Sequence, residues 1–369
     1  MISVFGCKVG QEEKDLVCDV LDSQWLGLGK MVEQFESEFQ KHNKIENFLM
    51  VDSGSNALYL SIKLLDLPPQ SEIILPALTW VSAGQAVLLA GHIPVFADVD
   101  LETMNVTKEH IEPCITKNTG AIMVVHYAGK PVDLDPIIEL GYPVIEDAAH
   151  AVVSKYKGKP CGGISDVGIF SFNATKNLAT SEGGGISFRK KEMYDRAKVL
   201  RYCGIGKSGF ENSMLDAGHK TRWWEYNILE PFIKMLPSNV SAAIALGQLR
   251  KIDELQQRRE RIFNIYQENL TGMDWIVTPP NPAIWEKHSY FTYAIRTDNR
   301  DELAHYLLGN GIYTTLRFHP LHMIPLYKSK SVLPNTEELN KTSLCIPLHP
   351  NLSDNEVEFI IDKIRRFRH

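Results

Sequence analysis

Lys176 stands in Phe170-Ser171-Phe172-Asn173-Ala174-Thr175-Lys176-Asn177-Leu178, between a β-rich run at 167–170 and another at 185–188, the second reached through Thr180-Ser181-Glu182-Gly183-Gly184-Gly185-Ile186. A lysine held between two strands among small or neutral residues is partly desolvated. Its charged form loses hydration, its pKa falls from about 10.4, and the amine is freed to attack a carbonyl. Upstream, Glu146-Asp147-Ala148-Ala149-His150 follows the apolar pair Val144-Ile145 and puts Asp147 at the carboxyl end of a buried strand, where ligands of α/β sheets collect. A carboxylate between an apolar strand and two alanines has few local partners and needs a cation or a set of donors to stay ionised; an N-cap role for a following helix fits Asp147 equally well. The third element is the turn Asp52-Ser53-Gly54-Ser55-Asn56, which opens a helical pattern through Ala57, Leu58, Ile62 and Leu65. Unpaired N–H groups and the helix dipole make such a turn a seat for phosphate, although the same residues also serve as a plain N-cap.

These three stretches must be carried by a sheet. Between residues 48 and about 190 the runs 48–51, 72–75, 95–97, 121–125, 144–146, 167–170 and 185–188 alternate with helical or turn-rich segments, which predicts a mostly parallel seven-stranded α/β sheet covered on both faces. Before it, Trp25-Leu26-Gly27-Leu28-Gly29 reads as a loop feeding a helix with Val32, Phe35 and Phe39 on one side, packed on the sheet or on a partner subunit. After residue 238 the period becomes that of one long helix, with Ser238 or Asn239 as N-cap and Ile244, Leu246, Leu249, Ile252 and Leu255 as its apolar surface. We therefore expect a large domain over 1–237 and a smaller C-terminal α+β domain, with its linking helix, over 238–369. The segment 206–237, with Trp223-Trp224 and Pro231, shows no readable period.

The 369 residues exceed what one core usually holds, about 250, and 44% hydrophobic with 23% charged residues is the balance of an ordinary globular protein. A net charge of −6 without a basic stripe argues against nucleic acid. No leader pattern opens the chain and no apolar run reaches the roughly 18 residues of a membrane span, so a cytoplasmic location and no membrane partner are expected. Six cysteines without a C-x-x-C pair argue against a disulfide framework and a zinc site. The triple glycine precedes a strand rather than opening a helix after one, which removes the dinucleotide fingerprint and with it an NAD-dependent dehydrogenase.

Taken in order, Trp25-Leu26-Gly27 with Glu33-Gln34-Phe35-Glu36, Ser53-Gly54-Ser55-Asn56-Ala57-Leu58, Leu75-Pro76-Ala77-Leu78-Thr79-Trp80, Pro94-Val95-Phe96-Ala97-Asp98-Val99-Asp100, Val125-His126-Tyr127, Glu146-Asp147-Ala148-Ala149-His150-Ala151, Ser171–Asn177 and Leu344-Cys345-Ile346-Pro347-Leu348-His349-Pro350 resemble the DegT/DnrJ/StrS sugar aminotransferases. The resemblance implies the type I pyridoxal-phosphate (PLP) transferase fold, with PLP and pyridoxamine phosphate alternating as cofactor. It implies Lys176 as the Schiff-base lysine and Asp147 as partner of the pyridinium nitrogen. Trp80 would stack on the ring and His150 would lie by its phenolic oxygen. Ser55 and Asn56 backbone N–H groups and the Ser171 hydroxyl would hold the phosphate. It also implies a homodimer, with the Trp25 loop reaching the neighbouring site. Where relatives carry an Asn-bearing motif that reaches the partner's phosphate, this chain reads Phe232-Ile233-Lys234-Met235-Leu236-Pro237, with Lys234 or Asn239 as substitutes.

For substrates, the resemblance implies L-glutamate, leaving as 2-oxoglutarate, and a keto-sugar nucleotide, foremost an NDP-4-keto-6-deoxyhexose aminated at C4. Amination at C3, or a cyclitol or small phosphorylated ketone, are the variants, and a non-catalytic regulatory relative is the reading from another class. The retained Lys176 argues against the related dehydratases, which carry His there. Trp25, Arg317, His319 and Tyr327 are the candidate substrate contacts, Arg317 gripping a diphosphate bidentately or else sitting in a surface ion pair. Pro320 breaks the spacing that a metal pair of His319 and His322 would need.

Overall fold

The computed structural model describes residues 1–206, 222 and 224–367. Seven strands form the central sheet: β1 (Phe48–Val51), β2 (Glu72–Pro76), β3 (Ile93–Ala97), β4 (Thr119–Val125), β5 (Val144–Asp147), β6 (Val167–Ser171) and β7 (Gly184–Phe188). Their order is β1-β7-β6-β5-β4-β2-β3, and β7 alone runs against its neighbours. The apolar runs are continuous because both faces are covered. Alternate residues supply two cores: Phe48, Met50, Ile122, Val124, Val144 and Phe170 face one way, and Leu49, Val51, Ala121, Met123, Ile145 and Ile169 the other.

Helix α1 (Gln11–Asp22) is followed by α2 (Lys30–Asn43), which buries Val32, Phe35 and Phe39 in the first core, where Phe39 stacks on Phe48 at 4.0 Å. The helix predicted from Val32, Phe35 and Phe39 is thus a sheet-packing element. On the opposite face lie α3 (Gly54–Leu64), α4 (Val81–Leu89) and α5 (Lys191–Arg201).

The single long helix expected after residue 238 is two. Helix α6 (Asn239–Arg250) begins at Ser238, whose hydroxyl accepts the Ser241 N–H at 3.1 Å, and ends at Lys251, where α7 (Ile252–Leu270) starts. Residues Ala242, Ala245 and Leu249 of α6 join the first sheet core, whereas Ile262, Phe263, Tyr266 and Leu270 of α7 belong to a third cluster. That cluster also holds a two-stranded antiparallel sheet of β8 (Tyr293–Arg296) and β9 (Ser343–Ile346), and the helices α8 (Arg300–Gly309) and α9 (Asp354–Arg366). Ile252, just past the break, still packs in the first core, and the later turns of α7 carry the chain into the third. The residues 207–221 and Trp223, within the stretch without readable period, lie outside the described residues. Among the described residues no helix is long and apolar enough to cross a membrane.

Candidate active site

The carboxyl ends of the parallel strands converge on a cavity of about 400 Å³. Ser53, Gly54 and Ser55 follow β1, Thr79 and Trp80 follow β2, Val125 ends β4, Asp147 ends β5 and Ser171 ends β6; Lys176 enters from the β6–β7 loop and Thr315–Phe318 close the far wall. This is the end of an open parallel sheet at which ligands bind.

At the β1–α3 turn, the Ser53 hydroxyl accepts the Asn56 N–H at 3.2 Å, and the Asn56 side chain is spent on Asp52 at 2.8 and 3.0 Å. Gly54 and Ser55 keep the first-turn N–H groups, which have no acceptor within the helix. The turn approaches its neighbours closely. A Cβ on Gly54 would lie 2.8 Å from Ser171 Cβ, and one on Gly184 would lie 2.3 Å from the Ser53 carbonyl carbon, which explains the glycine that opens β7. The anion seat is thus centred on Gly54 and Ser55, with Ser171 beside it. Asn56 faces away into a neighbouring recess with Tyr59, Gln85, Leu89 and Ile233.

No helix follows Asp147, so the N-cap alternative falls. Its carboxylate is buried and, among the described residues, accepts only the Ala149 N–H, at 3.0 Å; burial raises its pKa, against the Ala149 bond and the charge of Lys176. Lys176 makes no side-chain hydrogen bond to a described residue, and its Nζ lies 5.0 Å from the centroid of the Phe291 ring. Burial, assisted by the Arg317 charge and opposed by that of Asp147, brings its amine down to about 7. His150 stacks on the same Phe291 ring at 4.1 Å, and its buried Nδ1 has no hydrogen-bond partner in the described structure. Burial, then Lys176 and Arg317, hold it well below the ordinary histidine range and therefore neutral.

Trp80 is 55% exposed at the mouth, 5.6 Å from the Phe318 ring. Arg317 is 7% exposed and forms no ion pair with any described residue, so the surface ion pair is excluded. The remaining candidates lie elsewhere. Trp25 is 63% exposed and bonds its own loop at Leu28 O; His319 is exposed beside Asn340; Tyr327 packs on Phe96 and α4. Of the two substitutes for the cross-subunit motif, Asn239 is consumed within its own chain by Trp25 O and the Val32 N–H, while Lys234 is exposed. Phe5 and Phe291, which flank Arg317, carry no local signal in the sequence, because they come from opposite ends of the chain. Phe291 is delivered by carbonyl clamps: Asn177 donates to Ser289 O at 2.6 Å, and the buried Arg259 to Leu348 O at 3.0 Å and Phe291 O at 3.4 Å.

A lysine amine, an under-satisfied carboxylate, an unpartnered neutral imidazole and a glycine-lined anion seat in one cavity fit a phosphorylated pyridine aldehyde. The family model "DegT/DnrJ/EryC1/StrS aminotransferase family" matches residues 8–365. The dTDP-4-dehydro-2,3,6-trideoxy-D-glucose 4-aminotransferase of Saccharopolyspora spinosa is 34% identical over 99% of this chain and 96% of its own. Among solved structures, the aminotransferase TlmJ of Streptoalloteichus hindustanus is 36% identical with a TM-score of 0.93, covering 99% of this chain and 98% of its own. Spr1654 of Streptococcus pneumoniae in its PMP form is 26% identical with a TM-score of 0.91, covering 97% of both chains.

Proposed function

Because the chain belongs to the DegT/DnrJ/EryC1/StrS aminotransferase family, and is a PLP-dependent sugar aminotransferase of the type I fold, we propose that it moves the amino group of L-glutamate to C4 of an NDP-4-keto-6-deoxyhexose. The observation that carries the catalytic reading is Lys176 with Asp147 in one cavity, an amine brought to about 7 beside a buried carboxylate with one local donor. The C4 reading is supported by the relative from Saccharopolyspora spinosa, whose name specifies a 4-aminotransferase on a dTDP-linked 4-keto sugar.

When bound, PLP supplies the electron sink that stabilises negative charge on the substrate carbon. We assign its pyridinium nitrogen to Asp147, its ring face to Trp80, its phenolic oxygen to the side of His150, and its phosphate to the Gly54 and Ser55 N–H groups with the Ser171 hydroxyl. Lys176 would hold the cofactor and would move the proton that transamination transfers; an amine with a pKa near ambient pH suits both tasks. His150, kept neutral by burial, can hydrogen-bond without adding charge.

We further propose a cytoplasmic homodimer. Trp25, Leu26, Leu89 and Ile233 are exposed apolar side chains, the last two lining the recess beside the cavity, and a second copy would cover them. Sedimentation as a dimer at micromolar concentration is the expected result, and a monomer would contradict it.

The function is tested by incubating the PLP-loaded enzyme with L-glutamate and a panel of NDP-4-keto-6-deoxyhexoses and NDP-3-keto sugars. Mass and NMR analysis should show an amine at C4. Amination of the 3-keto sugars alone would move the reaction to the variant position, and no amine on any member would overturn the sugar assignment.

A further inference from the structure

Resting on the reading of this cavity as an aminotransferase site, we propose that Arg317 binds the α-carboxylate of the amino donor, and that of the 2-oxo acid it becomes, rather than the diphosphate of the acceptor.

Arg317 is 7% exposed and lines the cavity, yet its side chain donates no hydrogen bond and forms no ion pair to any described residue, and its buried Nε has no partner. Leaving a buried guanidinium with neither an anion nor a hydrogen-bond acceptor is costly, and native structures rarely do so outside a site that a ligand completes. The comparison with the other buried arginines is direct. Their Nε atoms are unpartnered as well, but their other N–H groups are used: Arg201 pairs with Glu36 at 2.5 Å and donates to Met50 O, and Arg259 donates to three carbonyls.

The guanidinium's surroundings select the anion's shape. Its Cζ lies 4.4 Å from the Phe5 ring centroid and 4.5 Å from that of Phe291, and Phe318 is a third ring at 5.9 Å. Rings occupy the approach to its faces, so the N–H edge is what remains for a ligand, and a planar fork matches a carboxylate in its own plane. The backbone behind it is fixed, since the buried Tyr127 hydroxyl donates to the Arg317 carbonyl oxygen.

The position selects which anion. Arg317 Cζ and Lys176 Nζ lie 4.5 and 5.0 Å from the same Phe291 centroid, so the guanidinium neighbours the amine that does the chemistry. In the donor the α-carboxylate is attached to the carbon whose proton Lys176 moves, so it must lie next to that amine. In a sugar nucleotide the diphosphate is separated from a reacting C4 by the sugar ring, and it leads to a nucleoside that must reach the cavity mouth. An arginine enclosed by Phe5, Phe291 and Phe318 suits the first geometry. The acceptor, a ketone without a carboxylate, would then leave Arg317 unpaired, so the two substrates use this wall differently.

The test separates the half-reactions by absorbance in the PLP-loaded enzyme. The parent, Arg317→Gln and Arg317→Lys are titrated in the pyridoxal form with L-glutamate and with its α-amide, and in the pyridoxamine form with 2-oxoglutarate and with an NDP-4-keto-6-deoxyhexose. The visible cofactor band and far-UV circular dichroism report folding in each variant. For Arg317→Gln we expect the apparent Kd for L-glutamate and 2-oxoglutarate to rise by about 30-fold or more. The preference for L-glutamate over its α-amide should collapse, the loss with the sugar nucleotide should be much smaller, and Arg317→Lys should recover part of the donor affinity. Equal losses in both half-reactions, or a loss confined to the sugar nucleotide, would overturn the proposal, the latter in favour of the diphosphate. A parent enzyme that responds to neither substrate would instead defeat the aminotransferase reading itself.

Discussion

Glu146 and Asp147 are adjacent on β5 and face opposite cores of the same sheet, and their surroundings differ completely. Glu146 is fully buried and saturated: it accepts from Gly162, Ile164 and Ser165 N–H groups at 2.7, 2.8 and 2.7 Å, from the Ser165 hydroxyl at 2.9 Å and from His126 Nε2 at 3.1 Å. His126 accepts the Val132 N–H at Nδ1, so the ring hydrogen is on Nε2 and points at the carboxylate. Burial alone would raise the Glu146 pKa, but the His126 hydrogen bond and the backbone donors outweigh it and hold the group ionised. Asp147 has one donor, and burial prevails in the other direction. The same contrast separates the cations: buried Lys130 is paired with Glu286 at 2.5 Å, while the partly buried Lys176 and the buried Arg317 have no ion-pair partner among the described residues. A charge satisfied by its own chain builds the fold; one left unsatisfied at a cavity is kept for a ligand.

The most severe way to test this contrast is to neutralise each member of the carboxylate pair. Asp147→Asn is expected to lower kcat on the order of 10³-fold, with a thermal midpoint in the cofactor-free protein at or above that of the parent, because a buried charge with one donor is removed. Glu146→Gln should destabilise by about 3–5 kcal/mol while the folded fraction retains its chemistry. Thermal melts and steady-state rates on both variants check this; the reverse pattern, an unstable Asp147→Asn and an inactive but stable Glu146→Gln, would invert the assignment.

A smaller effect is the pH dependence of Lys176. Its amine titrates at about 7 in the folded chain against 10.5 unperturbed. Below about 7 it is protonated in both states and the folded chain bears the whole cost of the buried charge. Between about 7 and 10.5 the unfolded chain binds more protons, so stability rises with pH, and above 10.5 both forms are neutral and the cost is gone. Lys176→Met should therefore raise the thermal midpoint of the cofactor-free protein at and below neutral pH, with the gain shrinking as pH approaches 10.5. A gain independent of pH would assign it to packing instead. Smallest is Ser53→Ala, which removes the cap on α3: a loss of about 1 kcal/mol and weaker retention of PLP, read by melting and by dialysis, are expected. Unchanged stability would show the cap to be idle.

The sequence made the strands legible because both faces of the sheet are covered and the runs are nearly unbroken, and it located Lys176, Asp147 and the Ser53–Ser55 turn because strand ends carry local signatures. It did not show the break at Lys251, since Leu249 and Ile252 on either side continue one helical period and pack in one core, the change to the third cluster coming only from Ile262 onward. Nor could it show Phe291, which reaches Lys176 through the Asn177 and Arg259 clamps, or the isolation of Arg317, which depends on what fails to approach it in space. The chemistry of His319 and Tyr327 and their place in the resemblance do not fix their position in space, and in this chain both lie outside the cavity, while the exposed Trp25 is expected to act on the neighbouring site.

The central claim, that Lys176 carries the cofactor and exchanges it with an amino donor, is tested most directly by the absorbance spectrum of the purified protein with pyridoxal phosphate, before and after excess L-glutamate, beside Lys176→Ala. A visible band that forms only in the lysine-bearing protein, and that glutamate converts to the pyridoxamine spectrum, is the predicted result. Absence of that band with Lys176 present, or an identical band in Lys176→Ala, would contradict it.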